Sequence, residues 1–248
     1  MPVLDRHVQQ TAAFILPLMA FLVIASLAPE FAEMSSDGPE LLEHSQAAAR
    51  WYVGLVTLQV LVAVSLLFYF RKIYLQDFPL RLSWLSLVVG VLGVILWIAV
   101  CECRLEQQFY GWIGLQSLAH VRPAFNPFES LHDDGFRSLF LVLRFTLLAA
   151  LVPLVEELFL RGWLIRWVEN PDWESVGLRQ LSWKALITPS IYGVLTHPSE
   201  AIAAILWFGL VTLLMMRTRN LWDCVVAHAV TNLLLGIYVV KFSAWHLW

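Results

Sequence analysis

The chain has 248 residues, 59% of them hydrophobic and only 14% charged, with a mean hydropathy of +0.70. Soluble domains are about half apolar and about a quarter charged, so a water-soluble fold is excluded and lipid must solvate much of the surface. A formal net charge of −3 leaves no large basic face for nucleic acid.

Apolar stretches of about 18 residues or more can cross a bilayer as helices. In chain order they fall at 11–28, 51–70, 84–101, 138–155, 183–196, 201–216 and 221–240, the fourth running on past two glutamates toward Trp167 and the fifth being shorter. Ser26, Leu27 and Ala28 resemble a signal-cleavage site, but Pro29 would follow the cut and Arg6 alone supplies a basic n-region, so the first span is expected to be retained. Many of the 12 Trp lie near the ends of apolar runs, where an amphipathic ring suits the interface. Residues 105–118 are amphipathic and fit an interfacial or re-entrant segment. Gly90 and Gly93 suit a helix-packing surface. No repeat or linker divides the chain, and a single domain over 1–248 is expected.

Basic residues set the orientation. Arg71, Lys72 and Arg81 follow the second span; Arg161, Arg166, Arg179 and Lys184 surround the next connection of that parity; Arg217 and Arg219 follow the sixth span. Alternating topology puts all three connections on one side, the cytoplasmic one, with the N-terminus. The acidic loop 30–43 and the C-terminus then lie outside. The three cysteines, Cys101, Cys103 and Cys224, form neither a disulfide framework nor a zinc-type ligand set.

Ionisable groups inside membrane segments are costly and point to function. Here they gather in the last third of the chain. Glu156 and Glu157 sit in VPLVEELFLRGWL, with Arg161 four residues after Glu157, the favourable order for a helical ion pair. Glu156 points about 100° away and stays uncompensated. His197 ends the fifth apolar run. His228 and Asn232, four apart, share one helix face. Counted from the basic side, the groups lie about 12 to 20 Å deep at 1.5 Å per residue, so they are expected to meet in a polar cavity open toward the cytoplasm.

Amide hydrolysis needs an activated water and stabilisation of the oxyanion. A carboxylate shielded from water is a stronger base than a hydrated one, which suits Glu156. His197 would orient the water, and His228 and Asn232 would donate to the oxyanion. The same groups allow a metal reading, with Glu156, His197 and His228 holding zinc and leaving one position open. H-E-x-x-H, G-x-S-x-G and a buried aspartate pair are all missing from the sequence.

Glu156-Glu157-x-x-x-Arg161, a histidine on the next helix, and His228-x-x-x-Asn232 resemble the motifs of the CPBP family, the type II CAAX prenyl proteases and the related Abi proteins, over about 136–238. The resemblance implies an eight-helix membrane bundle, so about seven to eight transmembrane helices are expected in all. It also implies a catalytic core at 136–238. In the type II CAAX proteases the first glutamate activates water, the first histidine assists, and the last histidine and asparagine form the oxyanion hole, without a required metal. That assigns Glu156, His197, His228 and Asn232. The family usually carries Phe four residues before its first histidine; here Gly193 stands there and the aromatic is Tyr192. The stretch RTRNLWDCVVAHAVTNLLLG is also similar to a bacterial CAAX-related branch found alongside exosortase sorting systems, which would make exosortase-system proteins partners and the bacterial inner membrane the location.

The function expected is intramembrane proteolysis of a membrane-associated or lipid-anchored protein. The alternatives are a non-catalytic membrane interaction or immunity protein retaining the fold, and a transporter, which would call for repeated halves or broken-helix pairs that the sequence does not show. Arg144 is set aside as snorkelling or pairing with Glu102 or Glu106, and His120, Arg122 and His132 as solvated.

Overall fold

The computed structural model describes residues 3–29, 39–114 and 125–247. Among these residues all regular structure is helical, as lipid demands of a chain whose backbone groups cannot bond to water. The helices are α1 (Val3–Ala25), α2 (Pro39–Asp77), α3 (Leu85–Glu102), α4 (Leu105–Trp112), α5 (Asp134–Glu169), α6 (Trp183–Thr196), α7 (Ala201–Thr218) and α8 (Leu221–Phe242). Six of them (α1, α2, α3, α5, α7 and α8) are long and apolar enough to cross a membrane. The chain is a multi-pass integral membrane protein.

The fifth expected span forms as α6 but has only 14 residues, short of a full crossing at about 20. Pro198 stops it, since the residue before a proline is pushed out of helical geometry. A 3-10 turn at Pro198–Glu200 then leads into α7. Of the amphipathic stretch, α4 covers the first part, while 115–118 lies outside the described residues, as do 30–38 of the acidic loop, His120 and Arg122.

Hydrogen bonds fix which helix ends share a face. Asn220 donates to the Arg81 carbonyl at 2.6 Å, Asp223 accepts from the Ser83 N–H at 2.7 Å, Arg219 donates to the Leu178 carbonyl at 2.7 Å, and His7 lies 2.6 Å from Glu174. These contacts gather the start of α1, the α2–α3 link, the α5–α6 link and the α7–α8 link at one end of the bundle. That end carries the basic residues. At the other end Trp51 donates to the Leu27 carbonyl at 3.2 Å, Tyr238 donates to Glu102 at 3.1 Å, and the buried Glu106 of α4 accepts from the Ala203 N–H at 3.2 Å. The alternation expected from the basic connections is therefore the arrangement of the helices, and α6 takes its turn in it despite its length.

Helix α3 packs chiefly against α8 and α7. Gly90 and Gly93 make that approach possible. A Cβ on Gly90 would sit 2.6 Å from Val230 Cβ and 2.8 Å from the Ala227 carbonyl, and one on Gly93 would sit 2.8 Å from Thr231 Oγ1. Gly90→Ala is expected to cost about 1–3 kcal/mol by forcing α3 away from α8. Thermal unfolding in detergent, compared with wild type, checks this.

Helix α5 is not regular. Segments of π-helix at Leu147–Leu151 and Leu158–Leu164 flank the α-helical Val152–Glu157. Such bulges re-aim side chains and often mark functional sites. Here they bracket the two glutamates.

Candidate active site

Four elements bring the polar residues together. α5 carries Glu156, Glu157 and Arg161. The end of α6 carries Tyr192 and His197. α7 contributes Trp207 and Phe208, and α8 carries His228, Thr231 and Asn232. Asn220 starts α8 by accepting from the Trp222 N–H at 3.2 Å, an N-cap that fixes where the helix begins and so the depth of His228.

Glu156, His197, His228 and Asn232 line one cavity of about 140 Å³, several times the roughly 30 Å³ share of a water molecule. The adjacent glutamates have different surroundings. Arg161 donates to Glu157, and both side chains are 0% exposed. The i,i+4 pairing expected from the sequence is thus present, across a π-helical stretch. Glu157 also lies 3.2 Å from His228 Nδ1. The other ring nitrogen, Nε2, lies 3.9 Å from Glu156 Oε2. Glu156, 8% exposed, reaches the cavity wall and accepts from the Tyr192 hydroxyl at 3.3 Å.

His197 caps the C-terminal end of α6. Its N–H bonds to the Gly193 carbonyl at 2.9 Å and its Nδ1 lies 2.9 Å from Thr196 Oγ1. Trp97 packs edge-on against its ring at 5.4 Å. Gly193, the departure from the family pattern, has a counterpart on α7. The Phe208 ring lies against it where a Cβ would collide, edge-on to Tyr192 at 5.7 Å and 6.3 Å from His197. The aromatic missing from position 193 is supplied by the neighbouring helix.

A second layer holds α8 in place. Trp207 packs on the His228 ring at 4.6 Å and donates to Thr231 Oγ1 at 3.2 Å, and Thr231 donates to the Gly90 carbonyl at 2.9 Å. Asn232 Nδ2 donates to the Leu148 carbonyl at 3.0 Å. That carbonyl lies in the first π-helical segment of α5. An amide NH₂ has two donors, so one N–H of Asn232 is used for positioning and the other remains.

Tyr192 is the aromatic that stands beside Gly193 in the family's second motif, whereas Trp207 and Thr231 carry no signal in the sequence beyond being aromatic or polar in an apolar run. Two further ionisable residues lie at the site. Arg144 is on the wall of the same cavity. Glu102 accepts from Tyr238 and lies 3.9 Å from His246, and Glu106 accepts from Ala203. Glu200, the last residue of the 3-10 turn, lines the cavity as well. Among the described residues no group of three or more His, Cys, Asp or Glu side chains is placed to hold a metal ion. The three cysteines are free thiols.

Fold and site together define a helical membrane protein with a carboxylate–histidine cluster buried between its helices. Residues 138–234 match the family model described as Type II CAAX prenyl endopeptidase Rce1-like. The chain carries an Rce1-like segment, over nearly the stretch where the motifs resemble the CPBP family, and it holds all six candidate residues. No curated protein and no solved structure gives a match.

Proposed function

We propose that the protein is an intramembrane endopeptidase in which Glu156 activates a water molecule against a peptide bond. The observation that carries this reading is the division of labour between adjacent glutamates. Glu157 is neutralised by Arg161 and lies against His228, while Glu156 lines the cavity with the Tyr192 hydroxyl at 3.3 Å and His228 Nε2 at 3.9 Å.

In the reaction the Glu156 carboxylate takes a proton from water as the water oxygen bonds to the scissile carbonyl carbon. The carbonyl oxygen becomes an oxyanion, stabilised by the remaining N–H of Asn232 and by His228. The proton on Glu156 passes to the amide nitrogen, with His197 assisting. The C–N bond breaks, giving a carboxylic acid and an amine. Glu157 and Arg161 act as positioning residues through His228. The substrate is a membrane-associated polypeptide, and the basic end of the bundle faces the cytoplasm.

Expression of wild type and Glu156→Gln at matched levels in cells lacking the gene, followed by mass spectrometry of terminal peptides of membrane and secreted proteins, tests the reading. Termini present only with wild type support it. Identical termini, with the variant still restoring the deletion phenotype, overturn it in favour of a binding role. Cleavage by the purified protein is expected to survive exhaustive chelation; loss on chelation and recovery with zinc would make the water metal-bound.

Tyr192→Phe removes one hydrogen bond to Glu156 and little volume. Hydrogen bonds to charged groups are worth about 1.5–3 kcal/mol, so cleavage should fall about 10- to 100-fold with thermal stability little changed. Steady-state kinetics on the purified variant measures it.

A further inference from the structure

We propose that the basic end of the bundle carries a binding site for the phosphate of an anionic membrane lipid, in a hollow between the α2–α3, α5–α6 and α7–α8 links. The hollow shares no lining residue with the cavity at Glu156, so the site does not depend on the proteolytic reading.

The hollow measures about 410 Å³, more than ten times the roughly 30 Å³ share of a water molecule. Arg81, Arg166, Arg179 and Arg219 stand on its wall, against Asp77 as the one acid there among the described residues. They come from separate stretches of chain. Asp77 ends α2, Arg81 follows in the α2–α3 link, Arg166 lies near the end of α5, and Arg179 and Arg219 lie in the α5–α6 and α7–α8 links. Cations gathered in one hollow repel one another, and an anion between them relieves that repulsion.

Carboxylates do not answer these arginines. Among the described residues the side chains of Arg81 and Arg179 have no hydrogen bond or ion pair. Arg219 gives one N–H to the Leu178 carbonyl at 2.7 Å, and a guanidinium has five to give. Arg166 is buried and bonds to the carbonyls of Gly162, Glu174 and Val176 at 2.9, 3.3 and 2.8 Å, with no carboxylate paired to it among the described residues. Arg219 is also held at φ 53°, the left-handed position after α7 where Gly or Asn ordinarily stands, so a long cationic side chain is kept there against a backbone penalty. The positive end of α8 meets the same wall at Asn220 and Leu221.

The surroundings favour a lipid over a soluble anion. Exposed Trp84, Trp167 and Trp183 stand within four residues of Arg81, Arg166 and Arg179 in the chain. Such rings settle at the level of lipid headgroups, which puts the arginines at the depth of the phosphates. Leu80 and Leu82, both exposed, flank Arg81 and offer apolar contact to the acyl chains of a bound lipid. Arginine suits the ligand, because its planar fork takes two phosphate oxygens at once, and basic pockets between membrane helices receive anionic headgroups in this way. A headgroup held by residues of three links clamps those links together, and with them the Asn220 cap from which α8 begins.

Lipid titration tests this without relying on catalysis. Delipidated protein in an uncharged detergent is titrated with phosphatidylglycerol, phosphatidylcholine or inorganic phosphate, reading the unfolding temperature and, by native mass spectrometry, the lipid bound. Phosphatidylglycerol at about 100 times its dissociation constant is expected to raise the unfolding temperature by about 5–10 °C and to stay bound. Phosphatidylcholine and inorganic phosphate at the same concentrations are expected to do neither. With Arg81→Ala and Arg179→Ala together, the phosphatidylglycerol needed for half the shift should rise at least about 10-fold, since bonds to a charged group are worth about that factor each. Neither side chain bonds within the protein, so the lipid-free variant should unfold at the wild-type temperature; if it does not, the lipid count on the folded species decides. Lys72→Ala with Lys184→Ala removes two exposed charges outside the hollow and should leave the half-shift concentration unchanged. Wild-type binding by the arginine variant overturns the proposal. So does an equal loss in the lysine variant, which makes the effect one of general surface charge, and so does the absence of any shift or bound lipid with phosphatidylglycerol. Inorganic phosphate matching phosphatidylglycerol overturns the lipid and makes the ligand a soluble anion.

Discussion

Glu156→Gln should lower kcat by about 10²- to 10⁴-fold, the range lost when a general base is removed, which is about 3–5 kcal/mol of transition-state stabilisation. Gln keeps the shape of the side chain and an oxygen for the Tyr192 hydroxyl, 3.3 Å away. It also removes a charge from beside an already neutralised Glu157, so folding should be preserved or slightly improved. KM should change little, because the lost interaction belongs to the transition state. Cleavage of a membrane peptide by purified protein in liposomes, with unfolding temperatures matched, measures the effect. Activity near wild type would remove Glu156 from the reaction.

Arg161→Met should be the most destabilising single change at the site. It leaves the Glu157 carboxylate, 0% exposed, with only His228 to answer its charge. Breaking a buried pair on one side costs about 3–5 kcal/mol. For a chain of this size that lowers the unfolding temperature by about 6–20 °C. Adding Glu157→Gln to Arg161→Met should recover most of the stability, because no charge is then stranded. It should not recover activity, because His228 Nδ1 has lost its anionic partner at 3.2 Å. Thermal unfolding and kinetics on the two single variants and the double variant separate stability from positioning. A double variant with wild-type kcat would show that Glu157 and Arg161 are a structural lock only.

The carbonyl of Leu148, the partner of Asn232, shows why a residue list read from sequence stays incomplete. It is presented by a π-helical segment, and nothing in the apolar run LLAAL announces a π-helix. Thr231 is likewise ordinary until the turns of α8 point it at Gly90. Gly193 looked like a gap in the motif because the residue filling it, Phe208, comes from a different helix.

By itself the sequence determined that the chain lives in lipid, since its apolar content has no other solvent. It determined the alternation of helices, since basic residues collect on the connections of one parity. It singled out Glu156, Glu157, Arg161, His197, His228 and Asn232, since charge and imidazole inside apolar runs are too costly to be incidental. It also gave the Glu157–Arg161 pairing, because four-residue spacing survives in any local helix. Tertiary structure alone decided that α6 stops after 14 residues and which side chains from the other helices line the cavity beside Glu156. Those depend on how side chains from α1, α3, α5, α7 and α8 fill the space between helices, and a one-dimensional pattern records the composition of a helix face but not what is packed against it.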